Sequence, residues 1–358
     1  MGGVERHQLE TIRELAARGH RTVLFYERPG NLEDEFQSVC ESLHQGPAPL
    51  YSSSPLRDLP RISRRVLAAA RCRPDLIYVN NFSELVWAAG IRALTRAPIV
   101  CHPHEFQPVR KVSLQMLGRV VDRFVLSSKF MGDAWARHGL DRSRIEVIYN
   151  ALPTGAYAPG SDQDRLDARR SLGLPEDGFV ALYLGRLIPE KGVDVLLEAW
   201  GKLGFAPDQA RLLIVGLPAA SDAYVDGLRS VAPVGCQWLP MRRNVVDVLQ
   251  AADLLVLPST WDEPFGRVIV EAMASGRPAV ASAVGGIPEI LDGEFTRMLF
   301  PRGDSGALAE RLRTLHDWRR ADPTLGERCA AHVARRFRLD AAVDQLEAVF
   351  AASLEARA

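Results

Sequence analysis

Short apolar runs alternate with helical stretches twice along this chain, and one polar segment separates the two series. The first series places strands at 21–26 (RTVLFY), 75–81 (DLIYVNN), 98–102 (PIVCH), 123–128 (RFVLSS) and 145–149 (IEVIY). The second places them at 179–185, 210–216, 236–239, 254–259 and 278–282, with 296–300 as a weaker sixth. Runs apolar at every position, rather than at every second one, belong to strands buried on both faces. Helices of about a dozen residues between them make the sheets parallel and cover both faces. Between the series, 153–178 is rich in Pro, Gly and Asp and reads as an interdomain linker that runs into a short helix. The expected fold class is α/β, with two doubly wound, Rossmann-like domains facing a cleft. The boundaries are 1–152, the linker 153–178, and 179–338, with a last helical segment at 339–358.

The 358 residues fit two domains of ordinary size. Net charge is zero, so bulk electrostatics give no reason to expect nucleic acid as a partner. Five scattered cysteines form no CxxC pair, which fits a reduced, cytoplasmic setting and neither a zinc ribbon nor a disulfide framework. No apolar run approaches the ~18 residues of a membrane span, while peripheral membrane contact stays open.

In doubly wound sheets, ligands bind beyond the carboxyl ends of the strands. The loop GRLIPEKG (185–192) offers Arg186 and Lys191 ahead of a helix. Two cations beside free N–H groups form an anion site, although a charged surface loop fits the same residues. The second loop is WDEPFGRVIVEAMASG (261–276). Glu263 precedes a helix that begins near Gly266, and Glu271 lies about a turn and a half into it. An ionised carboxylate only accepts hydrogen bonds, which suits the vicinal hydroxyls of a ribose or another sugar. The alternative is a salt bridge at Glu271 and a solvated loop acid at Glu263. In CHPHEFQP (101–108), His102 and His104 lack a third metal ligand and read as hydrogen-bonding groups of the cleft. Asp162-Gln163-Asp164 lies in the linker, away from any strand end, and its Asp-x-Asp pattern is taken as chance.

Together these segments resemble glycosyltransferase family 4, retaining enzymes of the two-domain GT-B fold. The likeness rests on GGVERH (2–7), YLGRLIPEKGVDVLLEAW (183–200), LLIVG (212–216), VVDVLQAADLLVLPS (245–259), EPFGRVIVEAMASGRPAVAS (263–282) and VGGIPEIL (284–291). The resemblance implies that Arg186 and Lys191 grip the diphosphate of a nucleotide-sugar and that Glu271 holds its ribose hydroxyls. Glu263, with the backbone of Phe265 and Gly266, then binds hydroxyls of the donor sugar. Gly2 and Gly3 match a first loop close to the phosphates. His104, followed by Glu105, matches an active-site histidine near the sugar, and the last helix packs back on the N-terminal domain.

The implied reaction moves a sugar from a nucleotide-diphosphate-sugar donor to a carbohydrate, glycoconjugate or small-molecule acceptor with retention. It needs no cofactor and no metal, because the two cations stabilise the leaving diphosphate. The rivals are a nucleotide-sugar epimerase, a phosphorylase of similar shape and a catalytically silent nucleotide-sugar-binding subunit. A nicotinamide dehydrogenase is disfavoured because no G-x-G-x-x-G follows any strand.

Two features of the N-terminal half stand apart. The family's domain opens with a strand before the Gly-Gly helix start, whereas here Met1 stands directly before Gly2. The expectation is either residues upstream of Met1 or a filling segment, for instance from 29–56. The basic helix at 60–73 reads either as a solvated helix with an Ile62–Val66–Leu67–Ala70 stripe buried, or as a surface for an anionic membrane or phosphorylated acceptor. Residues 239–243 are expected near the donor base.

Overall fold

The computed structural model describes residues 3–46, 55–106, 118–218, 222–242 and 244–357. It divides into two compact units: 1–151 with Leu339–Ala358, and Leu152–Arg338.

The second unit is built on a six-stranded parallel sheet. Its elements are α6 (Asp162–Ser171), β7 (Phe179–Leu187), α7 (Val193–Gly201), β8 (Ala210–Pro218), α8 (Asp222–Ser230), β9 (Cys236–Pro240), α9 (Val246–Ala251), β10 (Leu254–Leu257), α10 (Arg267–Ala274), β11 (Ala279–Ser282), α11 (Ile287–Ile290), β12 (Leu299–Phe300), α12 (Ser305–Leu315), α13 (Trp318–Ala321) and α14 (Leu325–Arg336). The strand order is β12-β11-β10-β7-β8-β9, so the order reverses between β7 and β10, the two central strands. From Phe179 to Leu184, β7 is buried at every residue, and it emerges only at Gly185 and Arg186. That pattern explains why the strand reads as a continuous apolar run.

The segment 153–178 is not a free linker. Helix α6 packs on α9 within the second unit. Its Arg169 is fully buried and bonds the Asp253 carboxylate at 2.7 Å, with Arg165 and Arg319 on the other oxygen. Burial pushes the Asp253 carboxyl up, but the three guanidiniums outweigh it and hold the group below the usual carboxylate range. Polar composition thus misleads here, because the arginines face an interior acid. The Asp162-Gln163-Asp164 pair opens α6, where Asp164 and Ser161 exchange hydrogen bonds as a capping box.

The first unit comprises α1 (Gly3–Ala17), β1 (Val23–Tyr26), α2 (Glu33–Gln37), β2 (Ser42–Gln45), α3 (Pro55–Arg71), β3 (Ile77–Val79), α4 (Leu85–Thr95), β4 (Ile99–Cys101), β5 (Arg123–Leu126), α5 (Lys129–His138), β6 (Ile145–Val147) and α15 (Leu339–Glu355). Its main sheet has the order β3-β4-β5-β6, all parallel, while β1 and β2 form a separate parallel pair. Side-chain alternation along β4 divides the core. Ile99 and Cys101 join the cluster of Trp87, Ile91 and Trp135, and Val100 joins that of Val343, Leu346 and Val349 on α15. Helix α15 also packs on α1, where Arg18 bonds Asp344 and Glu347 at 2.6 Å each.

Two sequence readings of this unit need correction. The stretch 29–56, to which the strand pattern assigns no element, supplies α2 and β2, and β2 is too short and polar to read as a buried strand. In α3 the buried stripe runs through Val66 and Ala69, whereas Leu67 is 48% exposed. The phase is set by Gly90 on α4, where an added Cβ would lie 2.9 Å from Val66. Arg65 is buried rather than solvated, with its guanidinium 4.7 Å from the Trp87 ring centroid. Among the described residues, no helix is long and apolar enough to cross a membrane.

Candidate active site

Lys191 and Glu263 come together at the carboxyl ends of β7 and β10, while Arg186 lies near the end of β7 and Glu271 on the helix that follows β10. After β7, a single turn at Pro189–Lys191 leads to Gly192, whose φ is +65°. A Cβ on Gly192 would fall 2.1 Å from the Pro258 carbonyl oxygen, so only glycine lets this turn lie against the chain leaving β10. The Thr260 N–H donates to the Glu190 carbonyl at 2.9 Å and fastens the two loops together.

This docking aims Lys191 at Glu263. The ammonium donates to Glu263 Oε1 at 2.5 Å, and both side chains are largely buried. The Ser259 hydroxyl donates to the same oxygen, and the Trp261 ring lies 5.4 Å from Lys191 Nζ. Glu263 is also fixed through its backbone. Its carbonyl accepts from Gly286 N–H at 2.8 Å, and a Cβ on Gly285 (φ +57°) would sit 2.0 Å from that carbonyl. The VGG stretch is therefore the backing of the Glu263 loop, which explains its glycines.

Helix α10 starts at Gly266, whose φ of +111° suits glycine. The Phe265 side chain is buried against Phe337. Glu271 is buried, and its Oε1 accepts from Arg267 Nε at 2.8 Å and from the Tyr157 hydroxyl at 3.2 Å. The salt bridge at Glu271 exists, but it orients the carboxylate instead of leaving it solvated, and a carboxylate can accept several donors at once. Glu263 is no solvated loop acid. Arg186, at the exposed end of β7, completes the set, with its carbonyl accepting from the Tyr183 hydroxyl at 2.6 Å.

In the first unit, His102 and His104 follow β4. Both are buried, and their ring centroids are 4.2 Å apart. The Tyr78 hydroxyl bonds His102 Nδ1 at 2.5 Å, and His104 Nε2 meets Asn80 Oδ1 at 3.3 Å. His7 on α1 brings a third ring to about 6 Å from both. Burial lowers the His104 imidazole to about 4, and burial with the two neighbouring histidines holds His102 well below its ordinary value. Both are neutral at physiological pH. Among the described residues, no group of three or more His, Cys, Asp or Glu is placed to hold a metal ion. Gly3 is the first residue of α1, one turn before His7. Gly2 lies outside the described residues, as does Arg243 of the 239–243 segment.

Sequence reasoning singled out both carboxylates and both cations of the second unit, but not what holds them. Arg267 and Ser259 each stand four positions before the glutamate they bond, a spacing that could have flagged them. Tyr157 had no such signal, because it arrives from the polar segment before α6. His7 and Asn80 flank His104 only through the tertiary fold.

A family model described as Glycosyltransferase Family 4 matches residues 1–155, and one described as Glycosyl transferases group 1 matches 164–328. The D-inositol 3-phosphate glycosyltransferase of Corynebacterium glutamicum is 30% identical, over 98% of this chain and 91% of that protein. Its counterpart from Mycolicibacterium smegmatis is 34% identical over 75% of this chain. That match spans 61% of the relative's own length, so the chain covers under two thirds of it. Anabaena Alr3699/HepE, solved in complex with UDP-glucose, superposes with a TM-score of 0.84 at 25% identity, covering 99% of this chain and 96% of that one. With strand-end loops of the expected kind in both units and family models over most of its length, the chain belongs to glycosyltransferase family 4 and has the GT-B fold.

Proposed function

We propose that the chain transfers a sugar from a nucleotide-diphosphate-sugar to an acceptor hydroxyl, with retention and without a metal ion. The observation that carries this reading is the buried Lys191–Glu263 pair at 2.5 Å, with Arg186 near the end of β7 and α10 beginning shortly after Glu263. A cation and an acceptor held this close, in a largely desolvated loop pair, suit a ligand that offers an anion next to hydroxyl groups. Donor binding exchanges their mutual contact for Lys191–phosphate and Glu263–hydroxyl contacts. Glu271, steadied by Arg267 and Tyr157, takes the ribose diol. Phe265 and Gly266 offer backbone groups to the sugar.

The chemistry follows from charge. The bond between the anomeric carbon and the diphosphate oxygen breaks, and its electron pair leaves with the diphosphate. Arg186 and Lys191 offset that developing charge, the task for which preorganised donors are most effective. The acceptor oxygen forms the new bond on the same face, and its proton passes to the departing phosphate oxygen. His104, neutral because it is buried, serves in this reading as a hydrogen-bonding group for a sugar hydroxyl rather than as a cation. The relatives' names direct the acceptor search to polyols and their phosphates, and the UDP-glucose complex of the Anabaena protein makes UDP-sugars the first donors to test.

The test is thermal stabilisation by UDP-, GDP- and dTDP-sugars, followed by turnover with the stabilising donor. A ligand at 100 times its Kd raises stability by about 2.7 kcal/mol. Stabilisation with slow hydrolysis or transfer supports the reading, and stabilisation without any turnover identifies a silent binding subunit. No response to any nucleotide-sugar contradicts the reading outright.

A further inference from the structure

The two histidines after β4 are neighbours in the chain, yet they meet opposite partners. The Tyr78 hydroxyl reaches His102 Nδ1 at 2.5 Å. Burial pushes that hydroxyl far above its ordinary range, so Tyr78 keeps its proton and donates it. A neutral imidazole that accepts at Nδ1 carries its own hydrogen on Nε2. His102 therefore has only a donor left to offer, and its Nε2 is buried without a hydrogen-bond partner among the described residues.

His104 meets an acceptor instead. Its Nε2 lies 3.3 Å from Asn80 Oδ1, and a carboxamide oxygen can only accept. The contact places the His104 hydrogen on Nε2 and leaves the lone pair on Nδ1. An amide turned to meet the ring through its nitrogen would reverse this tautomer. The main chain around the contact is fixed on both strands. Asn80 follows β3 directly, and its N–H donates to Glu84 Oε2 at 3.1 Å. The preceding Val79 carbonyl accepts from His102 N–H at 2.7 Å. The titratable groups about the rings come from several elements. His7 of α1 lies about 6 Å from both, Tyr78 is on β3, and Glu105 is next in the chain. Behind Asn80, burial pushes the Glu84 carboxyl up, with Arg65 of α3 opposing that and Glu27 adding to it. His104 itself is shifted by burial alone.

We propose that Asn80 is the positioning residue of His104: it holds the neutral ring as the Nε2–H tautomer, so that Nδ1 accepts a hydrogen bond from a sugar hydroxyl. The hydroxyl rests on the transferase reading, and the tautomer does not. A bare ring nitrogen suits a hydroxyl, which has a hydrogen to give. It disfavours an ionised phosphate, which presents acceptor oxygens.

The experiment reads the histidine ring nitrogens of the full chain by nitrogen–proton NMR in the parent, Asn80→Leu and Asn80→Asp, with His104→Gln to assign the signal. UDP-glucose turnover is followed in parallel from about pH 5.5 to 9. In the parent, His104 should show its hydrogen on Nε2 and a bare Nδ1 across this range. Asn80→Leu is close in size but has no acceptor. It should mix the two tautomers and lower turnover roughly 3- to 10-fold at every pH, the worth of one hydrogen bond. Asn80→Asp keeps the acceptor and adds a negative charge, which favours the imidazolium. It should raise His104 from about 4 to roughly 5–7. Turnover of this variant should fall on the acid side and return close to the parent's above about pH 8, where Nδ1 is bare again. A merely structural Asn80 would give no such recovery. The proposal is overturned if the parent's His104 carries its hydrogen on Nδ1, or if Asn80→Leu leaves the ring signals unchanged. It is also overturned if Asn80→Asp and Asn80→Leu share one pH profile. Should Asn80→Leu not fold, the parent's spectrum and the Asp variant still decide. Ring signals as stated without turnover of UDP-glucose uphold the tautomer and count against the transferase reading with that donor.

Discussion

Replacing Glu271 separates its two jobs. In the second unit it is the partner of Arg267, with both side chains less than one-tenth exposed, and it also accepts from Tyr157. Glu271→Ala leaves Arg267 buried without its carboxylate. Breaking a buried pair from one side costs about 3–5 kcal/mol. For a unit of this size each kcal/mol shifts Tm by about 2–4 °C, so the melt should fall by roughly 6–20 °C. In the proposed function the same variant also removes a charged acceptor from the ribose, worth about 1.5–3 kcal/mol, or roughly 10- to 150-fold in affinity. Glu271→Gln keeps an acceptor oxygen for Arg267 and Tyr157 and loses only the charge. Hydrogen bonds to ionised groups are about twice as strong as neutral ones. The Gln variant should therefore bind UDP about 4- to 12-fold more weakly, with less than half of the Ala variant's drop in Tm. Calorimetric titration with UDP and a thermal melt on each variant provide the numbers. If Glu271→Gln binds UDP as the parent does, the carboxylate does not hold the nucleotide. If Glu271→Ala melts with the parent, the buried pair is not stabilising and the reasoning about Arg267 fails.

Four further outcomes are expected. Arg186→Ala and Lys191→Ala should each lower kcat/KM by about 10²-fold or more, by loss of a donor at developing charge, and Glu263→Ala should act mainly on kcat. Unchanged steady-state kinetics in all three would remove these residues from the site. Activity should survive EDTA, and a complete loss restored by Mg²⁺ or Mn²⁺ would refute metal independence. His104, lowered by burial to about 4 against an ordinary value near 6.5, makes the unfolded chain bind more protons between those values. Its contribution is therefore intact above pH ~6.5 and is lost as pH falls toward 4, by about 3 kcal/mol in all. Urea melts across that window should show a shallower slope in His104→Asn than in the parent, and equal slopes would contradict the assignment. Ser161→Ala should cost about 1 kcal/mol at the α6 capping box and leave turnover unchanged, whereas a large loss of activity would mean that Asp162-Gln163-Asp164 is more than a helix start.

The parallel α/β character was legible because buried strands such as β7, β8 and β10 carry unbroken apolar runs. The candidate residues of the second unit stood out for a related reason, since Arg186 and Lys191 follow the apolar run of β7, and Glu263 and Glu271 follow that of β10. What composition could not show was which polar residues face inward. Arg169 and Arg165 look like parts of a solvated linker, yet they surround Asp253, and Arg65 looks like part of a basic surface, yet it lies on Trp87. Strand β2 escaped notice because its residues, Ser42 to Gln45, are half-exposed or exposed at the edge of a two-stranded pair. His7 reached the histidine pair through a contact spanning about a hundred residues, which no local pattern encodes.

The most direct test of the transferase reading is proton NMR of the parent chain with UDP-glucose and a panel of polyol and polyol-phosphate acceptors, in the presence of EDTA. The account predicts UDP release coupled to a new anomeric proton with the small coupling constant of an α-linked product, matching the α-configured donor. A β-linked product would contradict retention, and no UDP release from UDP-glucose or from any other nucleotide-sugar that stabilises the chain would contradict catalysis by this site.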